Sequence, residues 1–600
     1  MSAVAGVIGK VTTQTTAEHM LATMRRRGPC AEKYLMHEDF CFMHTSDHNI
    51  ETIKYDCAGE SYILVFDGKL YNGEEVKKLL MTLGHCFESS SDEEIVLHAY
   101  VQWDEKCLDL LNGVFSFAIW RNKDRKLFVA RDRIGVKPLF YRLSEGCFIF
   151  ASEIKTILTH PGVSAELDSC GIVQLLMLGP GRIPGSGVLK GIHELKPGYY
   201  GVYFNGTWRE ERYWALKDTE HSEGFDETAE HVRSLLLDAI HKQTKDVQKI
   251  GTFLSGGLDS SIISSVCADI AEKSSRPLYT FSVDYENNDR FFVSNNFQPE
   301  SDRYYIDLMK HKLGSQHLDV FLSADDLIRS IDDATIARDL PGMADVDFSL
   351  LVFSKHIFEH VSVVLSGECA DEIFGGYMWY TDPQIRSEEG FPWARNALLR
   401  ASFIHDEYLN NIDPKEFIMD QYKTTVNNCD ILPGTSAIDR RIKELVNLNF
   451  AWFMQTLLDR NDRMTMYHGL QVRVPFCDYR IAEYLYSVPW EFKSYRNREK
   501  GLLRYAMGDV LPQKVLYRKK SPFPKTYDPE YLKIVTEKLQ EIMDDPNAPL
   551  LQLVRKDSLE KLITTEFTWP WYGQLMKLPQ TIAYMLQINR WLTLYNVNIV

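Results

Sequence analysis

The stretch Leu254-Ser255-Gly256-Gly257-Leu258-Asp259-Ser260-Ser261 constrains this chain more than any other. It follows an apolar strand pattern, Ile250–Leu254, and opens a helix over Ser260–Ala271 whose Ile262, Ile263, Val266, Cys267 and Ile270 share one face. A helix N-terminus carries free N–H groups and is an anion site. Gly256 and Gly257 let the backbone wrap closely around phosphate. Ser255, Ser260 and Ser261 can add hydroxyl donors, and Asp259 can hold a magnesium ion shared with phosphate oxygens. No GxxxxGK[ST] is present, so the loop is not of the Walker-A type.

A second loop has the same grammar. The apolar run Val361–Leu365 leads into Ser366-Gly367-Glu368-Cys369-Ala370-Asp371-Glu372 and then Ile373-Phe374-Gly375-Gly376-Tyr377. From Phe225 onward strands alternate with helices: Thr228–Lys242, Ile250–Leu254, Leu278–Val283, Asp302–Leu313, His317–Leu322 and Ser362–Leu365. That alternation predicts a doubly wound parallel sheet, with a mostly helical part after Tyr377. Loops that follow parallel strands open on one edge, where ligands gather. Both glycine loops should therefore face one cleft, with Asp259 and Asp371 sharing a magnesium ion and pyrophosphate, and Glu368 near the reacting acyl group.

Residues 1–209 read differently. Short β-rich runs (Ser2–Ile8, Tyr62–Phe66, Phe115–Trp120, Lys126–Ala130, Cys147–Ala151) mix with helical Ala17–Arg25 and Glu93–Trp103, and Asp67-Gly68 looks like a turn between strands. This is an α+β sandwich pattern. Residues 210–224, polar and without a period, are the expected linker, and 225–600 the second domain.

The net charge of −16, with both signs mixed along the chain, argues against nucleic-acid binding, which needs a positive surface. No apolar run approaches the ~20 residues needed to span a bilayer, and no basic leader precedes residue 14, so no membrane and a cytoplasmic location are expected. The 11 cysteines include no CxxC pair and sit in apolar runs, which predicts buried reduced thiols.

These residues together resemble the asparagine synthetase family. SGGLDSS is similar to its pyrophosphatase-type ATP loop. SGECADEIFGGY resembles its second signature, with Cys369 where glycine is usual. Asp462-Arg463-Met464 through His468-Gly469-Leu470-Gln471-Val472-Arg473-Val474-Pro475-Phe476-Cys477-Asp478 resembles the family's DRM…HGLEVRVPFLD stretch. Glu499-Lys500 and Arg518-Lys519-Lys520 fit their places. The resemblance implies ATP and Mg2+ as cofactors, and a small-molecule carboxylate plus ammonia or an amine as partners. It implies that the carboxylate attacks the α-phosphorus of ATP to give an acyl-adenylate with release of pyrophosphate, and that nitrogen then displaces AMP. Leu254, Val283 and Gly367 would line the nucleotide pocket. Lys500 would offset charge on the α-phosphate, and Glu368 would act as general base. Arg338 and Asp339 would lie on the substrate side. The family often forms dimers, so a homodimer is the assembly the resemblance suggests.

The first half resembles the Ntn-type glutaminase domain of class II amidotransferases, through RRGP at 26–29, Phe66–Asn72, Ser91-Asp92, Leu111–Phe115 and Ala130–Leu139. Its chemistry departs from the pattern. Active members carry a nucleophilic cysteine after the first methionine; here Ser2 stands there. The oxyanion-hole asparagine is Asp67, which would repel a developing oxyanion. The glutamine-binding arginine is missing from Phe42-Met43-His44-Thr45-Ser46. Asp92 remains without those partners. Glutamine hydrolysis is therefore expected to be lost. Three functions fit this far: an asparagine synthetase-type enzyme using ammonia on aspartate; a specialised amide, lactam or macrolactam synthetase of the β-lactam synthetase or lasso-peptide cyclase type; and a non-catalytic scaffold, which the retained Asp259, Glu368, Asp371 and Lys500 oppose.

Overall fold

The structure, a computed structural model, describes residues 2–9, 13–50, 53–57, 59–144, 146–292, 300–521, 523–565 and 569–600. Met1, the residue ahead of the expected nucleophile, lies outside them. The strands of the first half are β1 (Ser2–Gly9), β2 (Ala31–Met36), β3 (Phe40–Ser46), β4 (Lys54–Cys57), β5 (Glu60–Leu70), β6 (Gly113–Arg121), β7 (Lys126–Arg131), β8 (Phe140–Ser144), β9 (Cys147–Ala151), β10 (Glu166–Leu167), β11 (His193–Glu194), β12 (Tyr199–Phe204) and β13 (Thr207–Arg212). Most form two antiparallel sheets, ordered β11-β8-β9-β1-β3-β2 and β13-β12-β7-β6-β5-β4.

β1 shows why the sheets stack. Successive side chains point to opposite faces of a strand. Val4 and Ile8 pack with Ile63, Val65, Ala118 and Trp120 of the facing sheet. Ala3, Ala5 and Val7 turn the other way, against Ala17, Met20 and Met24 of helix Gln14–Met24. Helices Gly73–Thr82 and Asp92–Trp103 cover the outer face of the second sheet through Val76, Leu80, Ile95 and Ala99. The expected sandwich is present. One local reading is corrected: Asp67-Gly68 is no turn, because β5 runs straight through it, pairing Asp67 with Ser116 and Gly68 with Phe115. The glycine is needed for close approach, since a Cβ there would lie 2.2 Å from the Val114 carbonyl oxygen.

The second half is built on β14 (Ile250–Phe253), β15 (Leu278–Tyr285), β16 (Gln316–Leu322), β17 (Val363–Leu365) and β18 (Gln471–Arg473), in the order β16-β15-β14-β17-β18. Every neighbouring pair is parallel. β14 is the first strand of this half yet sits at the centre of its sheet, so the strand order reverses between β14 and β17. That is the switch point at which such sheets hold ligands.

The halves are joined by more than a covalent link. β13 continues to Arg212, into the stretch expected to be linker. Beyond it Trp214 Nε1 donates to Glu483, Asp218 pairs with Lys443 and accepts from Leu432 N, and Thr219 N donates to Ser487 Oγ. β19 (Asn598–Ile599) pairs in parallel with β10. Among the described residues no helix is long and apolar enough to cross a membrane.

The cysteines correct a second reading. Cys369 and Cys477 form a disulfide with Cα atoms 5.6 Å apart, and Cys30, Cys86 and Cys170 are exposed rather than buried.

Candidate active site

Both glycine loops reach one cleft of about 250 Å³ at the carboxyl edge of the parallel sheet. Their contact is direct: a Cβ on Gly367 would lie 2.9 Å from Asp259 Cβ, so only glycine lets the loops approach this closely. Leu254, Ser255, Gly257, Asp259, Ser260, Val283, Gly367, Glu368, Asp371 and Lys500 all line the cleft. Two residues of the first loop do not. Ser261 is fully buried within helix Leu258–Ser274, its hydroxyl facing the core. Gly256 serves the turn instead, with φ +65° and Tyr305 so close that a Cβ would meet its Cβ at 2.6 Å. Ser255 Oγ and Ser260 Oγ are 3.0 Å apart, and Ser260 Oγ accepts from Ser255 N, which fixes the loop.

Lys500 sits between the two carboxylates, its Nζ 2.5 Å from Asp259 Oδ2 and 2.5 Å from Asp371 Oδ1. Lys520 pairs with the other oxygen of Asp371. Burial works to raise Asp371, but Lys500 and Lys520 outweigh it and hold its pKa at about 2. Burial works against the Lys500 ammonium, yet Asp259 and Asp371 keep its pKa above the ordinary value. For Asp259, burial wins over Lys500 and the carboxyl is raised, with Asp371 adding to the rise. Room for this cluster depends on Gly376, where a Cβ would fall 1.9 Å from Asp371 Oδ1 and 2.3 Å from Lys500 Cε.

The residues fit a magnesium ion. Asp259 Oδ1 is buried with no hydrogen-bond partner, and a second carboxylate, Asp371, stands across Lys500 from it. Two acidic oxygens beside a phosphate-binding loop are the donor set this hard cation takes.

Glu368 is raised above the usual carboxylate range by burial, with Arg460 opposing and Asp371 adding. Glu372, next in the loop, is pushed to about 8 by burial and by Asp371, and accepts from the Tyr377 hydroxyl at 2.7 Å. The apolar end of the cleft is lined by Phe253, Phe281, Val283, Ile306, Leu350 and Phe353, a slot suited to a flat base.

Arg460 is a cleft-wall residue that sequence reasoning missed. It is 4% exposed and lines the cleft wall with Asn461. Its guanidinium stacks 4.6 Å over the Phe523 ring. Among the described residues it makes no ion pair or hydrogen bond, and its Nε is buried without a partner. A buried, unpaired cation on a cavity wall is costly unless a ligand anion answers it. Arg518 was seen only as part of a matching segment. Here its Nη1 donates to the Ser255 carbonyl at 3.1 Å and its Nη2 pairs with Asp302, so it buttresses the first loop.

Arg338 and Asp339 are not on the cleft wall. Arg338 pairs with Asp347 at 2.9 Å and Asp459 at 3.5 Å. Asp339 accepts from Ile154 N at 2.7 Å and pairs with Lys155 and Arg463. Both are spent on an ion network that joins the halves.

In the first half, Ser2 and Asp67 are engaged by neighbouring side chains. Ser2 Oγ donates to Asp67 Oδ1 at 3.0 Å. Asp67 also pairs with Arg27 at 3.1 Å and Lys137 at 3.4 Å, and those two cations pair in turn with Asp462 of the second half. Burial pushes His44 down to about 4, so the segment that should carry a cation for glutamine is neutral. Asp92 is turned to Leu70 N and Lys69. Further out, Cys57, His85 and His98 cluster, but His85 Nε2 meets Gln102 Oε1 and the two Nδ1 atoms share a hydrogen bond of 2.8 Å, so the group satisfies itself.

A phosphate-binding cleft at a switch point, carried by a chain whose first half is an Ntn-type sandwich, defines a class: ATP-dependent synthetases joined to an amidotransferase-type domain. Comparison with known proteins agrees. Residues 231–593 match the family model for asparagine synthase, and residues 1–214 that for a glutamine amidotransferase domain. The chain is 42% identical to asparagine synthetase [glutamine-hydrolyzing] 3 of Bacillus subtilis (strain 168), over 97% of this chain and 96% of that protein. It is 27% identical to asparagine synthetase [glutamine-hydrolyzing] 1 of the same organism, over 83% and 82%, and 27% identical to asparagine synthetase [glutamine-hydrolyzing] of Gallus gallus, over 77% and 71%. The chain belongs to the asparagine synthetase family, and it is an ATP-dependent ligase that forms a carbon–nitrogen bond with AMP and pyrophosphate as products.

Proposed function

We propose that this ligase converts aspartate to asparagine with free ammonia and does not hydrolyse glutamine. The observation that supports aspartate is Arg460. The carboxylate that reacts must lie by the phosphates, near Glu368; a second, unreacting carboxylate on the same small acid would answer the unpaired guanidinium. The side-chain carboxylate attacks the α-phosphorus of ATP, the bond to the β-phosphate oxygen breaks, and pyrophosphate leaves. Backbone N–H groups at the start of helix Leu258–Ser274, with Ser255 and Ser260, hold the phosphates. Lys500 and Lys520 balance their charge. Magnesium, held by Asp259 and Asp371, supplies further neutralisation of the phosphate oxygens when bound. Glu368, its pKa raised toward neutrality, accepts a proton from the attacking nitrogen as AMP departs.

The loss of glutamine hydrolysis is supported by Ser2 and Asp67, which hydrogen-bond each other where a nucleophile and an oxyanion donor would have to act on a substrate. The test is pyrophosphate exchange into ATP across candidate acids, followed by product formation with ammonia or glutamine. Aspartate should support exchange, and ammonia but not glutamine should give asparagine, unchanged in Ser2→Ala. Exchange only with a larger carboxylate would instead favour a lactam or macrolactam synthetase, and glutamine-dependent product that Ser2→Ala abolishes would restore the glutaminase.

A further inference from the structure

Cys369 stands between Glu368 and Ala370-Asp371 on the second phosphate loop, lines the cleft, and is 2% exposed. Its φ is +76°, in the left-handed region that glycine adopts freely and other residues avoid. It caps the short helix Ala370–Phe374, which carries Asp371 and Glu372. Its sulfur bonds to Cys477, in the turn Pro475–Cys477 that follows β18. β17 and β18 end side by side, with Leu365 paired to Arg473 and Ser366 N donating to the Arg473 carbonyl at 2.9 Å. The crosslink therefore continues the strand pair as a covalent tie, just where its two loops diverge. On the loop's other side the braces are the close contact of Gly367 with Asp259 and the ion pairs of Asp371 with Lys500 and Lys520. The Cα separation of 5.6 Å is in the ordinary range for a disulfide.

We propose that the Cys369–Cys477 disulfide is a positioning crosslink for the known reaction: oxidised, it holds Cys369 in its left-handed conformation and so keeps Glu368 and Asp371 in place; reduced, it lets the loop relax and lowers turnover. This rests on the reading of that cleft as the adenylation site. Reduction breaks the S–S bond with two electrons and two protons from two molecules of a small thiol, which leave joined as their own disulfide. Neither cysteine touches the reacting atoms. The effect is on the loop that carries those which do.

The experiment uses the full chain, purified without thiol. Non-reduced peptide mapping should find the 369–477 link. Dithiothreitol should cut aspartate-dependent exchange on the order of tenfold, chiefly in kcat, and speed amide hydrogen exchange across 366–377; oxidised glutathione should reverse both. Cys477→Ser should be low and insensitive to thiol. Adding Cys369→Gly to it should restore turnover without restoring sensitivity, because glycine holds the left-handed conformation unaided. The proposal is overturned if reduction of the mapped link leaves kcat and loop exchange unchanged, if no link forms under oxidised glutathione, or if Cys369→Gly fails to rescue Cys477→Ser. If no acid supports exchange in any state, the functional reading fails, and hydrogen exchange of 366–377 alone decides whether the tie holds the loop.

Discussion

The two halves of this chain each carry a buried cluster of charges, and they differ in what is left over. Around Ser2 every charge has a protein partner: Asp67 takes Arg27, Lys137 and the Ser2 hydroxyl, and Asp462 completes the set. In the synthetase cleft Asp259 reaches Lys500 through Oδ2 while its Oδ1 has no partner, and the Arg460 guanidinium, stacked on Phe523, makes no ion pair among the described residues. Desolvating a charge is unfavourable unless something pairs with it. A self-satisfied cluster is thus stable as it stands, whereas an unsatisfied one implies a ligand that arrives later. The difference teaches that a site's readiness for chemistry can be read from its unpaired atoms as well as from its residue types.

Four measurements would sharpen or break the contrast. The largest effect belongs to Asp259→Ala, which should reduce pyrophosphate exchange at least ~10³-fold, equivalent to about 4 kcal/mol of transition-state stabilisation; near-normal exchange would remove Asp259 from the site. Next is Asp67→Asn in the closed cluster. It leaves Arg27 and Lys137 with Asp462 alone, so the midpoint of denaturant unfolding should shift by about 3 kcal/mol, with ammonia-dependent activity of the folded enzyme retained. A negligible shift would mean that the cluster is not the closed structural unit described. Arg460→Met keeps the packing on Phe523 but removes the charge. KM for aspartate should rise roughly 30-fold, about 2 kcal/mol, while KM for ATP stays put; equal changes in both would argue for a general distortion. The smallest is a pH effect of ~1.4 kcal/mol per pH unit. Glu368 must be deprotonated to act as base, and its pKa is raised, so ammonia-dependent synthesis, compared at constant free NH3, should fall tenfold per unit as pH drops below a pKa higher than an ordinary glutamate's. Exchange, which needs no base, should fall less. Parallel pH profiles for the two would take the base role from Glu368.

The legible parts of the molecule were those whose meaning is local. A strand, a glycine loop and an apolar helix face occupy consecutive residues, so the first phosphate loop and the parallel sheet could be read directly. β18 is three residues long and carries no period of its own. Asp67-Gly68 has the composition of a turn, but the requirement on Gly68 comes from Val114, over 40 residues away in sequence. Arg338, Asp339 and Arg460 look alike in a sequence, as charged residues near family-like segments. Only the fold shows that the first two are consumed by Asp347, Lys155 and Arg463 and the third is not. The signal that could have found Arg460 was its place on helix Met454–Met466, two residues ahead of Asp462-Arg463-Met464.

The strap between the halves has a mechanical consequence. Asp218 is gripped by Lys443 and Leu432, Thr219 by Ser487 and Trp214 by Glu483, while β10 and β19 clasp at a distant point. A connection fastened along its length cannot act as a hinge. Severing it between residues 213 and 224 would leave two pieces still docked, and any signal passing from one half to the other must travel as a shift of packed side chains, not as a swing of domains.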